Sequence, residues 1–98
     1  MGRWGLAHVV GDSMLPTLRA GDRLLVSYRR RPDVGAVVVA RFADGTLAVK
    51  RVAARREGSW WLLSDNPAEG IDSRHRGVVP DEAVLAVVLR RIWPLVRL

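Results

Sequence analysis

Apolar residues occur along the chain in runs of about four to eight, and turn-forming residues separate one run from the next. Short runs that are rich in Val and Leu are typical of β-strands rather than helices. The pattern predicts strands over residues 23–28, 36–42, 46–54, 59–63 and 83–93. Asp44-Gly45, between the second and third of these strands, predicts a hairpin, because glycine accepts the positive φ that a type I′ turn requires.

A polar stretch separates the last two predicted strands. Residues 64–77 contain one proline and two glycines, which favours a long structured loop. Residues 80–82 are Pro-Asp-Glu, which predicts one helical turn. The pattern as a whole predicts an all-β, or β-rich, fold: a small coiled antiparallel sheet or barrel that forms one domain over residues 1–98.

The composition narrows the chemistry that the chain can perform. It has 98 residues and a net charge of +6, and of its 16 basic side chains fifteen are Arg and one, Lys50, is Lys. It has no Cys, which excludes disulfides, thiolate zinc sites and cysteine nucleophiles. Its two His are too few for most transition-metal sites, so we expect neither a metal nor another cofactor.

No stretch of the sequence predicts a membrane span. A transmembrane helix needs about 20 consecutive apolar residues, and three arginines interrupt the longest candidate, residues 83–98. The N-terminal residues lack the pattern of a secretory signal. We expect a cytoplasmic protein. Membrane association is the alternative, because basic clusters such as Arg29-Arg30-Arg31 favour weak contact with an anionic membrane surface.

Lys50 lies on a predicted strand, whose alternate residues face the same way. Thr46, Ala48, Lys50, Val52 and Ala54 are therefore expected to share one face, which gives the amine small apolar neighbours. Burial disfavours the charged form of lysine and lowers its pKa, and a neutral amine can accept a proton from a serine hydroxyl. Arginine stays protonated and cannot do this. An ordinary strand-edge charge is the alternative interpretation of Lys50.

Ser13 is the candidate nucleophile, in the stretch Gly-Asp-Ser-Met-Leu-Pro-Thr-Leu at residues 11–18. On composition alone, a serine among small residues before a Met-x-Pro turn favours a surface turn. The candidate lysine base gives the other interpretation its chemical basis, because a serine hydroxyl becomes a strong nucleophile when an adjacent base takes its proton.

Five short motifs occur in a characteristic order along the chain. GDSMLPTL at 11–18 resembles the nucleophile box of the signal peptidase I family, GDRLLV at 21–26 its second box and VKRV at 49–52 its general-base box. SDN at 64–66 and DSRHRGVV at 72–79 resemble its final box. Each motif is a weak signal alone, but five in the order of the family are specific.

The resemblance implies a serine endopeptidase with a Ser/Lys dyad and a coiled β fold, in which Ser13 is the nucleophile and Lys50 the general base. Such an enzyme removes an N-terminal leader or signal peptide through an acyl-enzyme, with backbone N–H groups, chiefly that of Ser13, binding the oxyanion. The implied partner is a polypeptide that binds as an extended strand, with small residues before the cleaved bond. No specific nucleic acid is expected.

Further residues match the motifs of the family around the predicted dyad. We expect them to support the site rather than to react. Two form the D-N turn of the family, three form its D-S-R triplet, in which an ion pair fixes the loop, and two shape the turn and the substrate groove after the nucleophile. These residues are Asp65, Asn66, Asp72, Ser73, Arg74, Met14 and Pro16.

The sequence departs from the family at two positions near the dyad. The family often has a serine that hydrogen-bonds the base lysine two residues before the D-S-R aspartate, and Gly70 stands there. Another partner must therefore orient Lys50, and Ser73 or a water is the expected one. The first glycine of the G-D-N motif of the family is Ser64 here.

The large inserted domain and the membrane anchor of many bacterial signal peptidases are not expected in this chain. The stretches at 60–66 and 78–94 resemble most closely the short members that mature nickel-type superoxide dismutase by removing its leader. Three other interpretations stay open. They are the self-cleaving domain of SOS-type repressors, which shares a Ser/Lys dyad, a basic β-barrel that binds nucleic acid, and a catalytically inactive peptidase-like scaffold.

Overall fold

The structure is a computed structural model and describes residues 3–28 and 30–95. Arg29, in the first basic cluster, lies outside the described residues. The described chain forms strands and two short helices. In chain order these are β1 (Trp4–His8), β2 (Arg23–Ser27), β3 (Val37–Arg41), β4 (Leu47–Arg56), β5 (Ser59–Leu63), helix α1 (Ser73–Arg76), a 3₁₀ helix (Asp81–Ala83) and β6 (Val84–Trp93).

The strands form one sheet in the order β1-β2-β6-β3-β4-β5. Every pair of neighbouring strands is antiparallel, and the register shifts within β2–β6, β3–β6 and β4–β5. Such irregularities increase the twist of a sheet. The structure confirms the predicted all-β fold with an antiparallel sheet.

The predicted strands are present within two residues of their predicted bounds, but β1 is not among them. Its sequence, Trp-Gly-Leu-Ala-His, has no run of β-branched residues that would mark it as a strand. The predicted loop over residues 64–77 contains helix α1, which Asp72 caps by accepting a hydrogen bond from Arg74 N. No helix within the described ranges is long and apolar enough to cross a membrane.

Apolar side chains pack on both faces of the sheet. Val38 and Val87 belong to one buried cluster, whereas their neighbours Val39 and Ala86 pack in the other. The second cluster includes Met14, which directly follows the predicted nucleophile and is 1% exposed. Alternation along β3 and β6 therefore supplies both clusters, and burial of Met14 attaches the turn that carries Ser13 to the sheet.

A β-bulge interrupts the pairing of β4 with β5. Val52 pairs with Leu62, but Ala54 pairs with Trp61, so β4 has one extra residue at this point. The prediction that Ala54 shares a face with Lys50 and Val52 is therefore wrong, because the extra residue ends the strict alternation of the strand.

Candidate active site

A cavity of about 720 Å³ lies between β1, the first half of β4 and the loop around Gly70. In the described part of the chain, β1 pairs with β2 alone, and β4 before Arg51 pairs with β3 alone. Each of the two strands therefore has an edge whose backbone N–H and C=O groups are not taken up by a neighbouring strand.

Among the described residues, the lining of the cavity lacks the arginines that make this protein basic overall. Its acidic and basic side chains are Asp12, Glu69, His8 and Lys50, and no arginine of the described chain is among its lining residues. Exposed apolar side chains also border it, and clustered apolar groups on a protein surface commonly mark a binding site. These side chains are Leu6, Val10, Leu47 and Ile71.

Ser13 borders this cavity from the turn that follows β1. Asn66 fixes the turn by two hydrogen bonds to its backbone. The Asn66 backbone N–H donates to Ser13 O at 2.8 Å, and Asn66 Nδ2 donates to Asp12 O at 3.1 Å. Asn66 thus contacts the carbonyl groups on either side of the Ser13 peptide nitrogen and holds the segment that carries the hydroxyl.

Lys50 is buried on β4, with only 2% of its surface exposed. Burial is the largest influence on its amine and lowers the pKa from the ordinary value of 10.5, the Asp72 carboxylate raises it, and the Arg74 guanidinium lowers it. The net result is a lowered pKa. Desolvation favours the neutral amine, which is the form of lysine that can act as a base.

The backbone of Gly70 lies against both Ser13 and Lys50. A Cβ at Gly70 would lie 2.7 Å from Ser13 Cβ, 3.1 Å from Lys50 Nζ and 3.5 Å from Ser13 Oγ. The predicted nucleophile and the predicted base therefore border the same small space. Glycine is required there, since any side chain would press on both residues and the φ of +76° is one that other residues rarely adopt.

Lys50 Nζ donates a hydrogen bond to Ser64 Oγ at 3.1 Å. Ser64 is not among the site residues that the motifs predict. The expected partner, Ser73, instead accepts a hydrogen bond from Leu62 N at 2.9 Å through its hydroxyl, and so holds α1 against β5. The available signal was the hydroxyl at residue 64, where the resembled family has glycine.

Asp72 and Arg74 form the ion pair that the motif predicts. Arg74 Nη2 lies 3.0 Å from Asp72 Oδ2, and the buried Asp72 carboxylate also accepts from the backbone of Ser64 and Arg74. Burial works to raise the pKa of Asp72, but the hydrogen bonds from the Arg74 side chain and from the two backbone amides outweigh it, and the pKa is about 2. The carboxylate is therefore charged at neutral pH.

Asp65 connects three segments of the site. It accepts from Thr17 Oγ1 at 2.6 Å and from Arg51 Nε and Nη2 at 2.8 Å each, while Arg51 Nη1 donates to Gly35 O. The hydrogen bonds from Arg51 lower the pKa of Asp65, burial raises it, and Thr17 lowers it further, with a lowered pKa as the result. The turn that carries Ser13 is thereby joined to the residue that follows Lys50.

The two residues predicted to shape the groove occupy different surroundings. Met14 is buried in the apolar core and also borders the cavity. Pro16 is exposed and is not among the residues that line the cavity. The structure thus gives Met14 a position beside the groove and leaves Pro16 exposed, outside the residues that line it.

The arrangement joins a hydroxyl, a buried amine and an open groove. An amine with a lowered pKa next to a serine can remove the hydroxyl proton and so activate the oxygen for attack on a carbonyl. Within the described ranges, no three His, Asp or Glu side chains are grouped as a metal site requires.

Comparison with known proteins supports a peptidase family. Residues 3–78 match the model of the Peptidase S24-like family. The mitochondrial inner membrane protease subunit 1 of Schizosaccharomyces pombe is 30% identical over 93 residues, which are 95% of this chain and 57% of that protein. The LexA repressor of a Nocardioides species is 33% identical over 93 residues, 93% of this chain and 36% of the repressor. The chain thus spans little more than half of one relative and about a third of the other.

Proposed function

Because the chain belongs to the Peptidase S24-like family, we propose that it is a serine endopeptidase with Ser13 as nucleophile and Lys50 as general base. One observation carries the proposal. The buried amine of Lys50, with its lowered pKa, and the hydroxyl of Ser13 lie within 3.5 Å of one point beside Gly70, at the wall of an open groove.

The proposed reaction has two steps. Lys50 takes the hydroxyl proton while Ser13 Oγ bonds to the peptide carbonyl carbon, and Lys50 then gives the proton to the amine as the C–N bond breaks. Water attacks the resulting ester, Lys50 accepts its proton, and the proton passes to Ser13 Oγ as the acid is released. Backbone N–H groups, including that of Ser13, bind the oxyanion in both steps.

The groove suits an extended polypeptide as substrate. The free edges of β1 and of residues 47–50 offer backbone hydrogen bonds to an added strand. The apolar side chains of Leu6 and Leu47 at the border of the groove favour contact with apolar substrate side chains. We propose that the substrate is the N-terminal leader of another protein, with the precursor of a nickel superoxide dismutase as the candidate that the sequence resemblance implies.

Digestion of a peptide library tests the proposal without a chosen substrate, and mass spectrometry identifies the cleaved bonds. The wild-type protein is expected to cut a subset of peptides at one consistent position, and Ser13→Ala to cut none. Lys50→Arg keeps the charge but cannot act as a base, so it is also expected to be inactive. Lys50→Met needs no buried charge, and its inactivity would show that loss of the base, rather than a misplaced guanidinium, is responsible.

The alternatives give different results in the same series. Retained cleavage in Ser13→Ala would overturn the dyad, and a fall in the intact mass of the protein incubated alone would indicate self-cleavage. A folded wild-type protein that cuts neither library nor precursor would be the inactive scaffold. A nucleic-acid-binding barrel would bind DNA or RNA with affinity that falls steeply with salt and is unchanged in Ser13→Ala.

Two features of the cavity lining bear on that last alternative. The lining includes Asp12 and Glu69, both acidic, and no described arginine. A nucleic-acid groove is expected to be lined by arginine and lysine, since phosphate contacts dominate affinity. The polypeptide substrate is therefore the better-supported occupant. Cytoplasmic location stays a prediction, and fractionation of cells that produce the protein would test it.

A further inference from the structure

We infer that Ser64 is the positioning residue of the proposed dyad, whose hydroxyl holds the Lys50 amine in the orientation that it needs to take a proton from Ser13. The inference rests on the proposed function. Ser64 stands where the resembled family has glycine. The orientation of the Lys50 amine is thus assigned to Ser64 rather than to Ser73.

The backbone around Ser64 is fixed from two sides. Ser64 directly follows β5, and its N–H donates to the buried Asp72 carboxylate at 2.9 Å. Its residue surface is only 9% exposed, so few alternative positions are open to the side chain. A hydroxyl on a fixed, buried backbone defines one direction for the hydrogen bond from Lys50 Nζ at 3.1 Å.

The bulge in β4 brings the two side chains together. On the N-terminal side of the bulge in β4, Arg51 pairs with Leu63, and continuing that register by one residue sets Ser64 across from Lys50. Residues opposite each other in a sheet project to the same face. With the register of Arg56 and Ser59 unbroken, Ser64 would instead lie across from Arg51, on the other face of the sheet.

Besides Ser64, and apart from Ser13 as the proposed nucleophile, no serine of the described chain makes a hydrogen bond with the Lys50 amine. The Ser73 hydroxyl is engaged by Leu62 N, and residue 70 has no side chain. A serine at residue 70 would bring its Cβ within 2.7 Å of Ser13 Cβ at a φ of +76°, so the site has no room for a hydroxyl there. The hydroxyl of Ser64 is the one that accepts the hydrogen bond from Lys50 Nζ.

The chemical consequence follows from the tetrahedral shape of the amine. When one N–H of the neutral amine is held by Ser64, rotation about the Cε–Nζ bond is restricted, and the lone pair can be kept toward Ser13. After proton transfer, the same hydroxyl accepts a stronger hydrogen bond from the ammonium group. Without it the amine rotates freely, and fewer encounters with the Ser13 hydroxyl are productive.

The first test compares cleavage rates of Ser64→Ala, Ser64→Thr and Ser27→Ala. Ser64→Ala keeps the backbone N–H on Asp72 and is expected to lower kcat by about tenfold or more, as partial loss of general-base catalysis predicts, with KM nearly unchanged. Ser64→Thr keeps the hydroxyl and is expected to recover most of kcat. Ser27→Ala removes a hydroxyl of similar burial in β2, outside the cavity lining, and is expected to leave kcat within about twofold.

The second test needs no substrate. Lys50 is the only lysine of the chain, so ¹³Cε-lysine labelling gives one NMR signal whose shift follows the charge of this amine. Ser64→Ala removes an acceptor that favours the ammonium form, so its titration midpoint is expected below that of wild type. Ser27→Ala is expected to keep the wild-type midpoint.

The results separate this inference from the proposed function. If Ser13→Ala abolishes cleavage while Ser64→Ala keeps the wild-type kcat and midpoint, the positioning role is overturned and the peptidase stands. If no Ser13-dependent cleavage is found, the peptidase is overturned and with it the positioning role. A lowered kcat that follows only from lost thermal stability, with no change in midpoint and no recovery in Ser64→Thr, also overturns the inference.

Discussion

Lys50 and Gly70 each supply a property that no other residue type gives at their position. Lys50 provides an amine that can lose its proton, and Gly70 brings backbone against Ser13 and Lys50 without a Cβ. The role of Lys50 can be inferred from the sequence, through strand alternation and the presence of a single lysine in the chain. The role of Gly70 depends on how its loop folds against the turn of Ser13, which is 57 residues away along the chain. The sequence pattern therefore shows a glycine but not which residues it contacts.

Gly70→Ala is expected to reduce both stability and activity. The positive φ costs about 1–2 kcal/mol of unfolding free energy with an L side chain, and the new Cβ would displace Ser13 from the space it shares with Lys50. Gly77→Ala is the matched control. It has a φ of +81° in the same loop, and its added Cβ would meet nothing within 4 Å.

Urea denaturation and cleavage assays of the two glycine variants distinguish backbone strain from displacement. Both variants are expected to lose unfolding free energy through the positive φ, and Gly70→Ala is expected to lose more because its Cβ also meets Ser13 Cβ at 2.7 Å. Only Gly70→Ala is expected to lose kcat, by about tenfold or more, as a misplaced reacting group predicts. Equal activity in the two variants would contradict the close approach of Gly70 to Ser13.

At the scale of elements, the irregular parts of the β4–β5 hairpin and of the following loop determine the site. Sequence periodicity predicts the bounds of both strands, because apolar runs and turn residues mark them. It does not predict the bulge, since one extra residue at Ala53 introduces no glycine and no break in the apolar run. The partner of Lys50 therefore changes from the expected Ser73 to Ser64.

The capping and ion-pairing role of Asp72 predicts a specific pH dependence of stability. Its pKa is about 2 in the folded chain against an ordinary value of 3.8, so the charged carboxylate stabilises the fold by about 2 kcal/mol above pH 4. Asp72→Asn is expected to lose this stabilisation at pH 7. The difference in unfolding free energy between wild type and Asp72→Asn should narrow as the pH falls from about 4 through about 2.

Urea titrations over this pH range measure the gap, with Asp33→Asn as the control. Asp33 is exposed, so its replacement is expected to change unfolding free energy by less than about 0.5 kcal/mol at neutral pH. A gap between wild type and Asp72→Asn that stays constant down to pH 2 would contradict the charge-dependent role of Asp72.

At the scale of the whole molecule, the sheet folds so that its first strand and the start of β4 face one cavity. The all-β class and the peptidase family are both predicted from the sequence and confirmed, the first by strand patterning and the second by motif order. The cavity itself is not predicted, because β1 lacks a strand pattern and its position at the free edge depends on packing of the complete sheet.

Leu47→Asp is expected to weaken substrate binding without disturbing the fold. Leu47 is 56% exposed and lines the cavity, so it loses little packing in the free protein but faces an apolar substrate side chain in the proposed complex. KM is expected to rise about tenfold, which corresponds to about 1.4 kcal/mol of binding free energy. Burial of part of a leucine side chain can contribute this much.

Val34→Asp makes the matched change outside the groove. Val34 is 62% exposed and is not among the cavity-lining residues, so KM is expected to stay at the wild-type value. Cleavage kinetics on the peptide selected from the library measure both variants. A similar rise of KM in both would indicate a general effect of added negative charge rather than contact in the groove.

The proposed dyad requires Lys50 to be a buried amine that can lose its proton, and titration of this amine tests that requirement. With ¹³Cε-lysine labelling, the single signal of the chain reports the pKa of Lys50 without assignment and without a substrate. The structure predicts a midpoint below the ordinary value of 10.5, because burial outweighs the attraction of Asp72. A midpoint at or above 10.5 in the folded protein would mean an ordinary charged lysine and would contradict the role of Lys50 as a base.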